Sequence, residues 1–219
     1  MAKVLRENLT PLAAPDRSKI LDARDTTPLT GGPSFSLANR LERLAWQLCW
    51  TLLARWTPPM FSPWRILLLK AFGAQVEQGA AIAADVDIWY PRHLRLGAHA
   101  TIGPGVNCYC MAMISIGPRT IISQRAHLCA GSHDVADPDF QLIARPITIG
   151  ADVWIAAEAF VGPGVQVDDG AVLGARGCAF AALDPWTIYR GNPAVAVRPR
   201  VWRPRSDGRP AAMIPLRKD

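Results

Sequence analysis

The stretch that decides the fold runs from Ile149 to Ala179 and reads IGADVWIAAEAFVGPGVQVDDGAVLGARGCA. Aliphatic residues recur every six positions, at Ile149, Ile155, Val161, Val167 and Leu173. The following positions are Gly150, Ala156, Gly162, Asp168 and Gly174, four of them small. Four places after each aliphatic residue stand Val153, Ala159, Val165, Ala171 and Gly177, again small or β-branched. A helix repeats at 3.6 residues and a strand at 2, so neither accounts for a period of six. A triangular coil does, with one short strand and one corner per hexapeptide and the aliphatic side chain inside.

Working backwards, the same beat appears at Val76, Ile82 and Ile88, at Leu96-Gly97 and Ile102-Gly103, and at Ile116, Ile122 and Leu128. The phase slips between 88 and 96 and again between 114 and 116, which implies small bulges. At eighteen residues per turn the region holds about five to six coils. After Leu128 the rhythm is lost until Ile149, so Asp134 to Pro146 is expected as a loop outside the coil, with His133 at its base. Solenoids carry binding chemistry on such loops.

Three other regions flank the repeat, which spans 74–183. Residues 1–33 are polar and proline-bearing and read as an extended arm. Residues 34–73 read as a helical hairpin. Ser36 is placed to cap a helix from Leu37, and Leu37, Leu41, Leu44, Leu48 and Leu52 recur at helical spacing. Trp46, Trp50 and Trp56 are expected to widen the same apolar face. A second helix begins near Pro63 and stops at Gly73. The uncharged run from Leu44 to Ala54 is far short of the roughly twenty residues that cross a bilayer. The hairpin therefore reads as a cap on the open coil, a role compatible with peripheral membrane contact. Residues 184–219 form a C-terminal segment with a basic tail.

Charge and cysteines exclude several functions. The net charge is +6, but seven basic and two acidic residues fall between Arg198 and Asp219, so the remainder is nearly neutral. No basic-aromatic motif accompanies the tail, and nucleic acid is not an expected partner. The five cysteines have neither disulfide nor zinc spacing. The amino-terminal stretch lacks an apolar signal core, and a cytoplasmic location is expected.

Of the four histidines, His133 stands where a regular strand gives way to a loop, between Gly131-Ser132 and Asp134. A neutral imidazole there can accept a proton from an alcohol while its other nitrogen is held by a partner. A backbone N–H is a ready donor to the oxyanion that follows. No Gly-x-Ser-x-Gly element is present, so direct transfer is more economical than an acyl-enzyme.

The segments ISQRAHLCAGSHD (Ile122–Asp134), PITIGADVWIAAEAFVGPGVQV (Pro146–Val167) and DPWTIYRGNPAVAV (Asp184–Val197) resemble the hexapeptide-repeat acetyltransferases. Within them the chain is similar to the colanic-acid-type O-acetyltransferases of exopolysaccharide loci, and the hairpin ending WRILLLKAFGA agrees. The resemblance implies a mainly β fold, a left-handed parallel β-helix with an N-terminal helical hairpin, and a homotrimer. It implies acetyl-CoA as acyl donor, a sugar or glycan hydroxyl as acceptor, and no metal.

Residue by residue, it makes His133 the catalytic base, sets Trp154 near the thioester, and brings Ala157 and Ala175 against the pantetheine arm. Arg198 falls near the CoA phosphates, and Cys110 and Asp134 fall in the acceptor pocket. Relatives carry Thr-Lys where this chain has Phe180-Ala181, and a cation where it has Val195, so Arg176 or Arg190 is expected to substitute for lost contacts to CoA. Two alternatives share the same coil: a zinc enzyme of the γ-carbonic-anhydrase type, using His127 and His133, and a non-catalytic scaffold.

Overall fold

In the computed structural model, residues 35–202 and the backbone strand Ile20–Leu21 are described. Residues 74–190 wind into a left-handed parallel β-helix of about six turns. The first face stacks Gln75–Val76, Leu94–Leu96, Ile114–Ile116, Ile147–Ile149 and Gln166–Val167. The second stacks Ala81–Ile82, Thr101–Ile102, Ile121–Ile122, Trp154–Ile155, Val172–Leu173 and Thr187–Arg190. The third stacks Asp87–Ile88, Asn107–Tyr109, His127–Cys129, Phe160–Val161 and Cys178–Ala179.

The aliphatic residues of the six-beat rhythm are the interior. Val76, Leu96, Ile116, Ile149 and Val167 lie in register on one face, and all are buried. Corners turn through residues with positive φ, including His99, Arg119 and Asp152 between the first and second faces. Asp152 is held there by Arg119, whose Nε donates to Oδ1 at 2.7 Å. The first phase slip contains a 3-10 turn, Pro91–His93, and the second is taken up by a bend at 111–112 before Ile114–Ile116.

The inserted segment is more ordered than a loop. Gly131–His133 and Leu142–Ala144 pair antiparallel, with His133 opposite Leu142, so the insertion is a β-hairpin whose turn is 134–141. From the amino-terminal arm, Ile20–Leu21 adds a third strand against Leu142 and Ile143. The rest of residues 1–33 and the basic tail beyond 202 lie outside the described residues.

Two helices close the start of the coil: α1, Leu37–Leu53, and α2, Ser62–Ala71. Ser36 caps α1 by accepting from the Asn39 amide, and Pro63 sits in the first turn of α2. Along the ladder alternate residues face the next coil, as Ala83 does in donating to Ile102 O and Trp89 to Cys108 O, and the residues between them face the preceding one. The first coil therefore leaves carbonyls with no preceding strand. The hairpin takes two of them: Trp46 Nε1 donates to Ile88 O at 2.7 Å and Arg65 Nε to Ile82 O at 2.9 Å. Ser62 Oγ accepts from the Ile82 amide.

This overturns the expected orientation of α1. Trp46 and Trp50 are buried, while Leu37, Leu41, Leu44, Leu48 and Leu52 are all exposed on the opposite side, and Trp56 is exposed as well. For Trp46 the physical reason is the ladder edge: an indole brings apolar area together with a donor for an orphan carbonyl, whereas leucine brings only area. Trp50 packs its ring against Trp46 at 4.9 Å with its own Nε1 unpartnered.

Candidate active site

His133 ends the first strand of the hairpin and is exposed. Its Nδ1 lies 2.7 Å from the carbonyl oxygen of Phe140. A carbonyl only accepts, so in the neutral imidazole this contact selects the tautomer with the proton on Nδ1 and the lone pair on Nε2. Phe140 is fixed by the turn, where its amide donates to Asp137 O and its φ is 49°. Asp134 braces the same turn: its amide donates to Gln141 O and its carboxylate accepts from the Ala136 amide at 3.0 Å. The Phe140 carbonyl is thus the partner that orients His133, and a backbone group leaves no trace in residue type.

At the root of the hairpin a Cβ at Gly131 would displace the Met111 side chain and crowd the Tyr109 ring. His133 and Asp134 open on a cleft of about 430 Å³ that also includes Ile143, Arg145, Phe160 and Phe180. The Phe160 and Phe180 rings pack together at 5.6 Å and form an apolar wall of the His133 cleft.

A second groove, about 610 Å³, follows the outer side of the second face and the corner beyond it. Trp154, Ala157, Ala175 and Arg198 all line it. Trp154 stands between Ile121 and Val172 in register, and its Nε1 donates to Ser123 Oγ at 2.9 Å. Small residues, Ala156 and Gly174, keep the floor low. Arg190 and Arg200 add two cations to Arg198. Arg200 is anchored: it donates to Asp152 O at 2.6 Å and Gly170 O at 2.9 Å and lies against Trp186 and Trp202. Its role was not visible in the sequence, where it reads as one more charge in the tail.

Two expected site residues lie elsewhere. Arg176 does not line the groove. Its positive φ turns the side chain along the corner, where Nε meets Glu158 at 2.6 Å. Cys110 does not reach the acceptor cleft: it is fully buried, its thiol donates to Tyr90 O, and it accepts from the Tyr90 amide. Burial pushes the Cys110 thiol up to about 12. Tyr109 takes the outward direction of that strand, so residues 108 and 110 both point in.

His127 is separate from His133. It packs edge-on against Phe160, its Nε2 is buried without a partner, and burial lowers its pKa, opposed by Asp87. Among the described residues no three His, Cys, Asp or Glu side chains converge as a metal site would require.

The coil of six-residue repeats defines a class of fold, and comparison with known proteins gives the family. No protein-family model matches the chain. Colanic acid biosynthesis acetyltransferase WcaF of Escherichia coli K12 is 43% identical over 167 residues, covering 76% of this chain and 92% of that protein. The chain belongs to the hexapeptide-repeat acetyltransferases, close to that colanic-acid type. A maltose O-acetyltransferase from Clostridium difficile 630 superimposes with a TM-score of 0.69 at 18% identity, over 76% of this chain and 90% of that one. A hexapeptide-repeat acetyltransferase from Vibrio cholerae, solved with acetyl-CoA, gives a TM-score of 0.65 at 22% identity, over 74% and 87%. These two likenesses concern the fold.

Proposed function

We propose that the protein transfers acetyl from acetyl-CoA to a hydroxyl of a sugar or glycan, with His133 as general base. One observation carries this reading: the bond from Nδ1 to Phe140 O leaves Nε2 free at the cleft of an acetyltransferase-family coil. The acceptor hydroxyl gives its proton to Nε2 while its oxygen attacks the acetyl carbonyl carbon. The C–S bond breaks, the proton returns from the imidazolium to the thiolate, and the products are an O-acetyl ester and free CoA. A backbone N–H donor steadies the oxyanion.

The donor belongs in the second groove, with the acetyl end by Trp154, the pantetheine along Ala157 and Ala175, and phosphates toward Arg190 and Arg198. The His133 cleft and this groove share no lining residue. The reading therefore includes a cytoplasmic homotrimer in which the cleft of one protomer faces the groove of its neighbour, as cyclic closure permits. Supporting the sugar acceptor are the named activities of the colanic-acid relative and of the galactoside O-acetyltransferase of Escherichia coli, 25% identical over 134 residues.

The test is incubation with acetyl-CoA and a panel of sugars and oligosaccharides, read by CoA release and by mass spectrometry. One acetyl group added to a sugar hydroxyl is the expected product. Acetylation only of amines, or of no carbohydrate at all, overturns the acceptor assignment.

A further inference from the structure

We propose that the outer side of the helical hairpin is a docking surface for an anionic lipid bilayer. Leu37, Leu41, Leu44, Leu48 and Leu52 are each 52–66% exposed. At about 100° per residue they fall within roughly 80° of arc, on the far side of α1 from Trp46 and Trp50. The stripe runs about 22 Å along the helix.

It continues into the turn between the helices. Trp56 donates from Nε1 to Leu52 O and Trp64 from Nε1 to Leu53 O, which fixes both indoles at the end of the stripe. Met60 and Phe61 are exposed there too, and Leu67 is exposed on α2. A contiguous apolar surface of this extent on a water-facing helix marks an interaction site.

Charge selects the occupant. Arg40 and Arg55 are exposed at the two ends of α1. The only acidic residue between 35 and 72 is Glu42, and it faces away, bonded to the Tyr90 hydroxyl and to Arg92. A second copy meeting the same face would set these arginines against their like with no carboxylate to answer them. Phosphate headgroups would answer them, and leucine and tryptophan side chains suit the acyl boundary beneath. Among the described residues no helix is long and apolar enough to cross a membrane, so α1 would lie in the surface plane.

This inference stands apart from the identity of the acceptor. The full-length protein is floated with vesicles of phosphatidylcholine alone and of phosphatidylcholine with one-third phosphatidylglycerol. Binding to the anionic vesicles only is expected. The pair Leu44→Glu and Leu48→Glu should weaken it by about tenfold or more, and Arg40→Glu with Arg55→Glu should abolish the preference for anionic lipid. Because the replaced side chains face water, melting temperature and acetyl transfer to a soluble acceptor should stay unchanged. No flotation of the wild type, equal binding to neutral vesicles, or undiminished binding of the leucine pair overturns the proposal. So does a fall in oligomeric mass in that variant, which would make the face a contact between copies.

Discussion

Replacing Arg65 by methionine tests how the coil is closed at its first turn. Arg65 is 1% exposed, yet no carboxylate accompanies it among the described residues. Its Nε donates to Ile82 O, one terminal nitrogen to Thr57 Oγ1 at 2.8 Å and Pro58 O at 3.0 Å, and the other to Pro59 O at 3.1 Å. Methionine keeps the apolar stem and removes every donor. Pro58 and Pro59 are surface residues, so water can replace the guanidinium at their carbonyls. The Thr57 hydroxyl retains its own bond to Ala54 O. What remains is the Ile82 carbonyl, buried at a sheet edge with nothing to accept from, and the longer contact to the carbonyl of buried Thr57 at 3.4 Å.

A lost charge-assisted bond that strands a buried acceptor costs about 2–3 kcal/mol. For a domain of this size that is roughly 5–10 °C in melting temperature. Urea denaturation followed by tryptophan fluorescence reads it as a lower midpoint with an unchanged slope. A loss below about 0.5 kcal/mol, within the range of ordinary surface substitutions, would refute the argument that the hairpin is held by orphan ladder carbonyls.

Three further outcomes are expected. Arg190→Ala and Arg198→Ala should each raise the KM for acetyl-CoA about five- to tenfold with kcat little changed, whereas Arg176→Ala, engaged with Glu158, should leave KM alone. Burial depresses the pKa of His127, so below its ordinary value of about 6.5 the unfolded chain binds a proton that the folded one refuses. Stability should therefore fall as pH drops from about 7 toward 5, and less steeply in His127→Gln; parallel urea midpoints in the two proteins would count against it. Cys108 and Cys110 are buried with raised thiol pKa values, so a disulfide reagent should titrate at most three of the five cysteines until the protein unfolds.

The coil was legible because its interior admits one aliphatic side chain per hexapeptide, a constraint strict enough to survive in Ile149, Ile155 and Val161 without any other information. Periodicity also located the stripe on α1, but it reports that residues share a face and not what that face meets. The choice between Trp46 and Leu44 was made by a carbonyl at Ile88, 42 residues from Trp46 in sequence. The strand Leu142–Ala144 was hidden for a similar reason, since its partners, Gly131–His133 and Ile20–Leu21, lie outside any local window. Arg65 is buried in a leucine-rich helix because the closed geometry turns it toward the Ile82 carbonyl, a partner that no pattern in the helix itself encodes. In the site, Ala157 and Ala175 came together because they occupy the same corner of successive coils, with Trp154 on the strand that leads into that corner. Arg198 arrives on Val195–Pro199, which folds back antiparallel on Thr187–Arg190. Arg176 and Cys110 departed because a positive φ and a strand's alternation set their directions.

The central claim is that Nε2 of His133 takes the proton from the acceptor. CoA release from acetyl-CoA is measured for wild type and His133→Ala with the same acceptor, alongside oligomeric mass and the thermal shift produced by CoA. Turnover should fall by about two to four orders of magnitude while mass and CoA binding are unchanged. Turnover within about threefold of wild type, a barrier change under 1 kcal/mol, would contradict it.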